Sequence, residues 1–183
     1  MLPPVTLILL AINIIVFVSI QGTNWYTFGS IPSYLVNDPQ MFLVTSFTSM
    51  FLHANVVHIA FNMLALVALG RVIEETIGSV RYTIAYMISG LSGVALHTIY
   101  SLATGIGLNT PMVGASGAIS GIIGLAAALG DRFAYIWLGV QFVFAIAGLS
   151  SIAYFAHIGG FILGFLLGRL YRHRMYKDDT YLL

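Results

Sequence analysis

The chain has 183 residues, 59% of them hydrophobic and 7% charged, where an ordinary soluble domain carries about 25% charge. That composition excludes a water-soluble globule, and a formal net charge of +1 leaves no overall basic surface for nucleic acid. With no cysteine there is no disulfide framework, no thiol nucleophile and no Cys-ligated metal site.

Apolar segments bounded by Gly, Pro, Ser, Asn or charged residues predict six spans, at roughly 4 to 20, 48 to 70, 82 to 101, 116 to 130, 134 to 149 and 152 to 171. The expected fold class is an all-α membrane protein, one six-helix domain over 1–183 with a short basic tail from about residue 172. Met1 to Leu10 has no Lys or Arg ahead of its apolar run and no small-residue cleavage pattern, so it reads as a retained helix and not as a signal peptide. Between spans 1 and 2 stand Trp25, Tyr26, Phe28, Pro32, Tyr34 and Phe42, too aromatic for a disordered linker and suited to the membrane interface. Glu74 and Glu75, beside Arg71 and Arg81, read as an ion-pair cluster at helix ends. A polar, Gly-rich stretch over 101–115 joins spans 3 and 4, and a very short turn near 148–151 joins spans 5 and 6. The basic residues Arg71, Arg81, Arg132, Arg169, Arg172, Arg174 and Lys177 all fall on one side of this arrangement. The positive-inside rule then puts both termini in the cytoplasm.

Depth follows from helical rise. From Asp131 back to Ser116 is about 22 Å, against about 30 Å of hydrocarbon, so Ser116 starts its helix below the outer surface. The same count puts His157 about 18 Å from Arg169, His58 about 20 Å from Arg71 and Asn62 about 14 Å from Arg71. Four polar side chains from three helices thus share one layer in the outer half of the membrane. In span 6, Gly160, Gly164 and Gly168 form a small-xxx-small stripe for close backbone approach, and His157 lies on that face. Span 4, with Ser116, Ser120 and Gly124 in one stripe and Gly117 and Gly121 in another, is its natural mate. Below Asn62 the spans read as nearly all apolar.

Intramembrane polar residues are expensive and point to function by default. Hydroxyl attack on an amide needs a serine beside a general base, donors for the developing oxyanion and backbone room for substrate. Ser116, in Gly114-Ala115-Ser116-Gly117, supplies the nucleophile and His157 the base. The Ser116 N–H, with side-chain donors from His58 and Asn62, could hold the oxyanion. Gly114, Gly117 and Gly160 give the site its room. No carboxylate is available at this depth, which implies a dyad and not a triad.

These residues resemble the rhomboid intramembrane serine proteases. The resemblance rests on His53-Ala54-Asn55-Val56-Val57-His58-Ile59-Ala60-Phe61-Asn62-Met63, on Gly114-Ala115-Ser116-Gly117, and on Ala156-His157-Ile158-Gly159-Gly160, and extends through Gly70-Arg71-Val72-Ile73-Glu74 and Gly78. It implies a Ser116–His157 dyad assisted by His58 and Asn62, cleavage of transmembrane protein substrates near the outer face, and no metal or organic cofactor. The expected partners are such substrates and the lipid bilayer, with no nucleic acid. The expected location is a cell membrane, multi-pass, of prokaryotic plasma-membrane type. Two positions depart from patterns common in the family: Trp25 is followed by Tyr26 where many members have Trp-Arg, and Ser120 stands where some members stack a tyrosine on the catalytic histidine.

Other residues read structurally. His53 lies five before His58, nearly 140° around a helix, and is expected off that face, holding the first outer loop. His97 reads as structural at the border of the cavity. Two alternatives stay open at this point. A non-catalytic binder of transmembrane segments would be expected to lack the serine or the span-6 histidine, and a proton relay through His58, His97 and His157 would need polar residues continuing to the cytoplasmic side.

Overall fold

Pro4 opens the first helix, α1 (Pro4–Ser19), because a proline in the first turn forfeits no intrahelical bond. This computed structural model describes residues 1–21, 23–146 and 153–179, so the predicted turn near 148–151 lies outside the described residues. After α1 come a short 3₁₀ turn (Trp25–Phe28), α2 (Tyr34–Asn37) and α3 (Pro39–Thr48). Asp38 caps α3 by accepting a hydrogen bond from the Met41 N–H, satisfying a donor that has no intrahelical acceptor.

The predicted second span begins later and runs further than 48 to 70. Ser49–Phe51 is a 3₁₀ turn, Leu52 is extended, and α4 (Val56–Ala65) starts only at Asn55, whose side chain caps the His58 N–H at 2.8 Å. Gly70, expected to end the helix, stays helical. Residues Leu66–Gly70 form one π-helical turn that leads into α5 (Arg71–Ile77), and the break comes at Gly78, whose φ of +84° favours glycine. Four more helices follow: α6 (Ser79–Thr104), α7 (Ser116–Leu129), α8 (Phe133–Ile146) and α9 (Tyr154–Asp179). α6 overruns its predicted limits of 82 to 101 at both ends, and α9, predicted over 152 to 171, begins at Tyr154 and runs on to Asp179. Among the described residues there is no strand, only an isolated antiparallel bridge between Ser30 and Met112.

Residues Gly117 to Ala128 of α7 are all buried, so this helix is wrapped on every side. The expected small-residue match of α7 with α9 is present. A Cβ at Gly160 would run into the Gly117 carbonyl, one at Gly164 into the Gly121 carbonyl, and one at Gly124 into the Phe161 carbonyl. Against α6, a Cβ at Gly93 would lie 2.5 Å from the Ala156 carbonyl oxygen, and the Ser92 hydroxyl donates to the Gly159 carbonyl at 3.1 Å. Contact at backbone level leaves α6, α7 and α9 almost no freedom to slide.

Polarity runs inside out. Thr6, Leu9 and Asn13 form the buried stripe of α1, whereas Ile8, Ile15 and Val18 face outward. Val57, Phe61 and Leu64 of α4, Val80 of α6 and Ile136 of α8 are likewise exposed. Such extensive outward apolar surface is costly in water and suits lipid. By length and composition Val56–Ile77 and Tyr154–His173 are sufficient to cross a membrane, and Pro4–Ser19 and Ser116–Leu129 are shorter apolar helices.

Two expectations need correction. Glu74 does not join an ion-pair cluster: it is 2% exposed and accepts bonds from the Val5 and Thr6 N–H groups and the Thr6 and Ser79 hydroxyls. The carboxylate thus satisfies orphan donors at the start of α1, while Glu75 alone pairs with Arg71 at 3.2 Å. Nor is the interior below Asn62 nearly apolar, since Thr6, Asn13, Glu74, Tyr82 and Tyr86 are all buried there. Sequence alone hides this, because the residues come from three helices and each looks isolated in its own.

Candidate active site

The segment leading into α7 is pinned before the helix begins. Ser30 and Met112 exchange two backbone hydrogen bonds, at 3.0 and 2.8 Å, and the Gly114 N–H donates to the Ser49 carbonyl at 2.9 Å. Gly114 has a φ of +130°, and a Cβ there would lie 2.8 Å from the His58 Nε2; both its conformation and its neighbour require glycine. Ser116 is thereby fixed as the first residue of α7, where the leading N–H groups have no intrahelical acceptor.

Across from it, α9 brings His157. The His157 Nε2 lies 2.7 Å from the Ser116 Oγ, hydrogen-bond distance between groups 41 residues apart in sequence. Both side chains are half-buried, and a small cavity opens at the serine, walled by Met50, Val94, Met112, Val113 and Ala153. Gly117, predicted to give room, faces α9: a Cβ there would lie 3.5 Å from the Ala156 carbonyl oxygen, in ordinary van der Waals contact. Gly160 meets Gly117 one turn deeper and so sets the spacing of the two helices that carry the pair.

His58 stands beside Gly114, and its Nδ1 faces the Ala54 N–H at 3.4 Å. Asn62, 6% exposed, donates through Nδ2 to the His58 carbonyl at 2.8 Å; its amide is turned along its own helix. His53 departs from expectation. It precedes α4, so helical periodicity does not apply to it, and its buried ring meets that of His58 edge-on at 5.0 Å. His97, on α6, has its Nδ1 buried with no hydrogen-bond partner among the described residues. Among the described residues no three His, Asp or Glu side chains converge on one point as a metal site would require.

Ser120 brings no ring to the histidine; its hydroxyl donates back to the Ser116 carbonyl, the usual recourse of a serine inside a helix. The ring comes instead from α8, where Trp137 lies with its centroid 5.7 Å from that of His157. Sequence reasoning missed Trp137. Its only signal was a Trp in an apolar helix, which most often marks packing.

Ser116, His157, His58, Asn62 and Trp137 all fall inside a match to the rhomboid domain family model, over residues 40–174. The chain belongs to the rhomboid family. Among curated rhomboids, RHOMBOID-like protein 1 of Arabidopsis thaliana is 38% identical over 134 residues, 67% of this chain and 33% of that protein. Rhomboid-type serine protease 2 of Emericella nidulans is 34% identical over 130 residues, 65% of this chain and 25% of its own length. Rhomboid protease GluP of Bacillus subtilis is 31% identical over 183 aligned residues, 89% of this chain and 34% of that protein. This rhomboid therefore spans a quarter to a third of the length of these relatives.

Proposed function

We propose that the chain is an intramembrane serine endopeptidase that hydrolyses peptide bonds in or near transmembrane segments of membrane proteins. The observation that carries this reading is the 2.7 Å contact between Ser116 Oγ and His157 Nε2 at the mouth of a cavity. In the first step Ser116 Oγ attacks the scissile carbonyl carbon while His157 Nε2 takes its proton. The resulting oxyanion is held by the Ser116 N–H with donors from His58 and Asn62, which requires the Asn62 amide to turn away from the His58 carbonyl. The C–N bond then breaks, His157 returns the proton to the leaving amine, and water deacylates Ser116 by the same proton path in reverse. The residues that act are a dyad, and no cofactor enters.

In this reading residues 1–183 make one domain of six spans: α1, α4 with α5, α6, α7, α8 and α9. The outward apolar faces support burial in lipid, and the grouping of Arg71, Arg81, Arg132 and Arg169 supports cytoplasmic termini. The protein is then multi-pass in a cell membrane, of prokaryotic plasma-membrane type. Substrates have locally unstable helices, because an intact helix hides its carbonyls in hydrogen bonds. They enter from the side at α8.

The test is covalent labelling of the detergent-purified protein with a fluorophosphonate, read by intact mass, beside Ser116→Ala and His157→Ala. Labelling that maps to Ser116 and disappears in both variants is expected. A folded preparation that neither labels nor cuts a transmembrane test substrate overturns the reading in favour of a non-catalytic binder.

A further inference from the structure

A histidine can act as base only if its ring plane is held. The terminal torsion of His is soft, with a broad two-fold profile, so the imidazole needs lateral packing to keep Nε2 aimed at one atom. Ser116 on α7 meets the imidazole at Nε2, at 2.7 Å, which fixes one point of the ring but not its plane.

Trp137 on α8 presents a flat surface to that ring. Its indole lies 5.7 Å from the imidazole, tilted at 50°, within the range of aromatic pairs. The indole also packs on a second ring of α9: it stacks on Phe161 at 6.3 Å and 10°, and Phe161 stacks on Phe165 at 6.5 Å and 8°. His157, Phe161 and Phe165 recur every four residues along one face of α9. The indole thus closes a column of rings whose last member is the imidazole.

We propose that Trp137 is a positioning residue for His157: its indole, braced on Phe161, sets the imidazole plane that aims Nε2 at Ser116. This rests on reading Ser116 and His157 as nucleophile and base. The consequence is that the base is aligned when α8 lies against α9.

Two measurements on the full chain test it. The first is the rate of fluorophosphonate labelling of Ser116 across pH, which needs no substrate helix to enter. Trp137→Ala is expected to slow labelling about tenfold to a hundredfold, the scale of a small misplacement of a catalytic group, and to displace the pH profile. Trp137→Phe, which keeps a flat ring, is expected to restore the rate to within about threefold and the profile with it. Ile136→Ala, on the outward side of the same helix, leaves both unchanged. The second measurement is fluorescence. The chain has two tryptophans, so Trp25→Phe leaves Trp137 as the sole indole, and protonated imidazole quenches an indole in contact with it. Its emission should titrate with the midpoint seen in labelling, and His157→Ala should abolish that titration. Labelling by Trp137→Ala at the wild-type rate and pH profile overturns the proposal, as does an emission indifferent to His157. If the wild-type protein itself never labels, the parent reading has failed instead, and the fluorescence still decides whether the two rings are in contact.

Discussion

Two helices that flank α9 are attached to it in opposite ways. On one side α7 meets it through glycines, with Gly160 and Gly164 against the carbonyls of Gly117 and Gly121, and no side chain intervenes. On the other, α8 meets it through rings: Trp137 and Tyr135 lean on Phe161, and Tyr135 also on Phe165, while Ile136, Val140 and Val143 point outward. Backbone contact fixes distance to a fraction of an ångström; ring contact tolerates tilt and sliding. The difference teaches how one site can demand both rigidity and access. Ser116 and His157 ride on the pair that cannot move, and the helix that carries Trp137 is held by contacts that can re-form.

The largest effect should come from filling the glycine seam. Gly164→Val forces α7 and α9 apart and is expected to cost more than about 3 kcal/mol, read as loss of folded protein in detergent; a stable, labelling-competent Gly164→Val would break the comparison. Next is the anchor of α1, since Glu74→Ala strands four donors, two of them buried, and should destabilise by about 3 kcal/mol, measured by unfolding in mixed micelles. On α8 the penalties fall. Tyr135→Ala removes two edge contacts and should cost about 1 kcal/mol, with a spin label on α8 reporting a broader distance distribution to α7. Gly139 has open space where a Cβ would stand, so Gly139→Ala should change stability by no more than about 1 kcal/mol, in the stabilising direction set by helix propensity. Because the chain has no cysteine, a cysteine pair linking α4 to α8 sharpens the comparison functionally. It should stop cleavage of a membrane substrate and spare labelling of Ser116; unchanged cleavage would refute entry at α8.

How much of this was legible beforehand follows the range of each signal. Helices and their small-residue seams are written in local periodicity, so Gly160 and Gly164 could be matched to Gly117 and Gly121 without coordinates. The meeting of Ser116 with His157 followed from helical rise, because two helices crossing one membrane share a depth scale. What escaped depends on how elements lean. Trp137 reaches His157 through the packing of α8 on α9, and the backbone donors to Glu74 come from residues 68 and 69 positions away. His53 meets His58 because the chain turns before α4, at a place where periodicity suggested continuous helix.

The π turn at Leu66–Gly70 works as a phase splice. Asn62 and Glu74 are both buried, yet on an unbroken α-helix they would point about 120° apart. One wide turn absorbs about one residue and brings the two directions to within about 20°. The upper half of the span can then be set in angle by the demands of the cavity and the lower half by the demands of α1, with a five-residue vernier between them. Shortening that vernier by one residue would leave every helix intact and still turn one end of the span to face lipid.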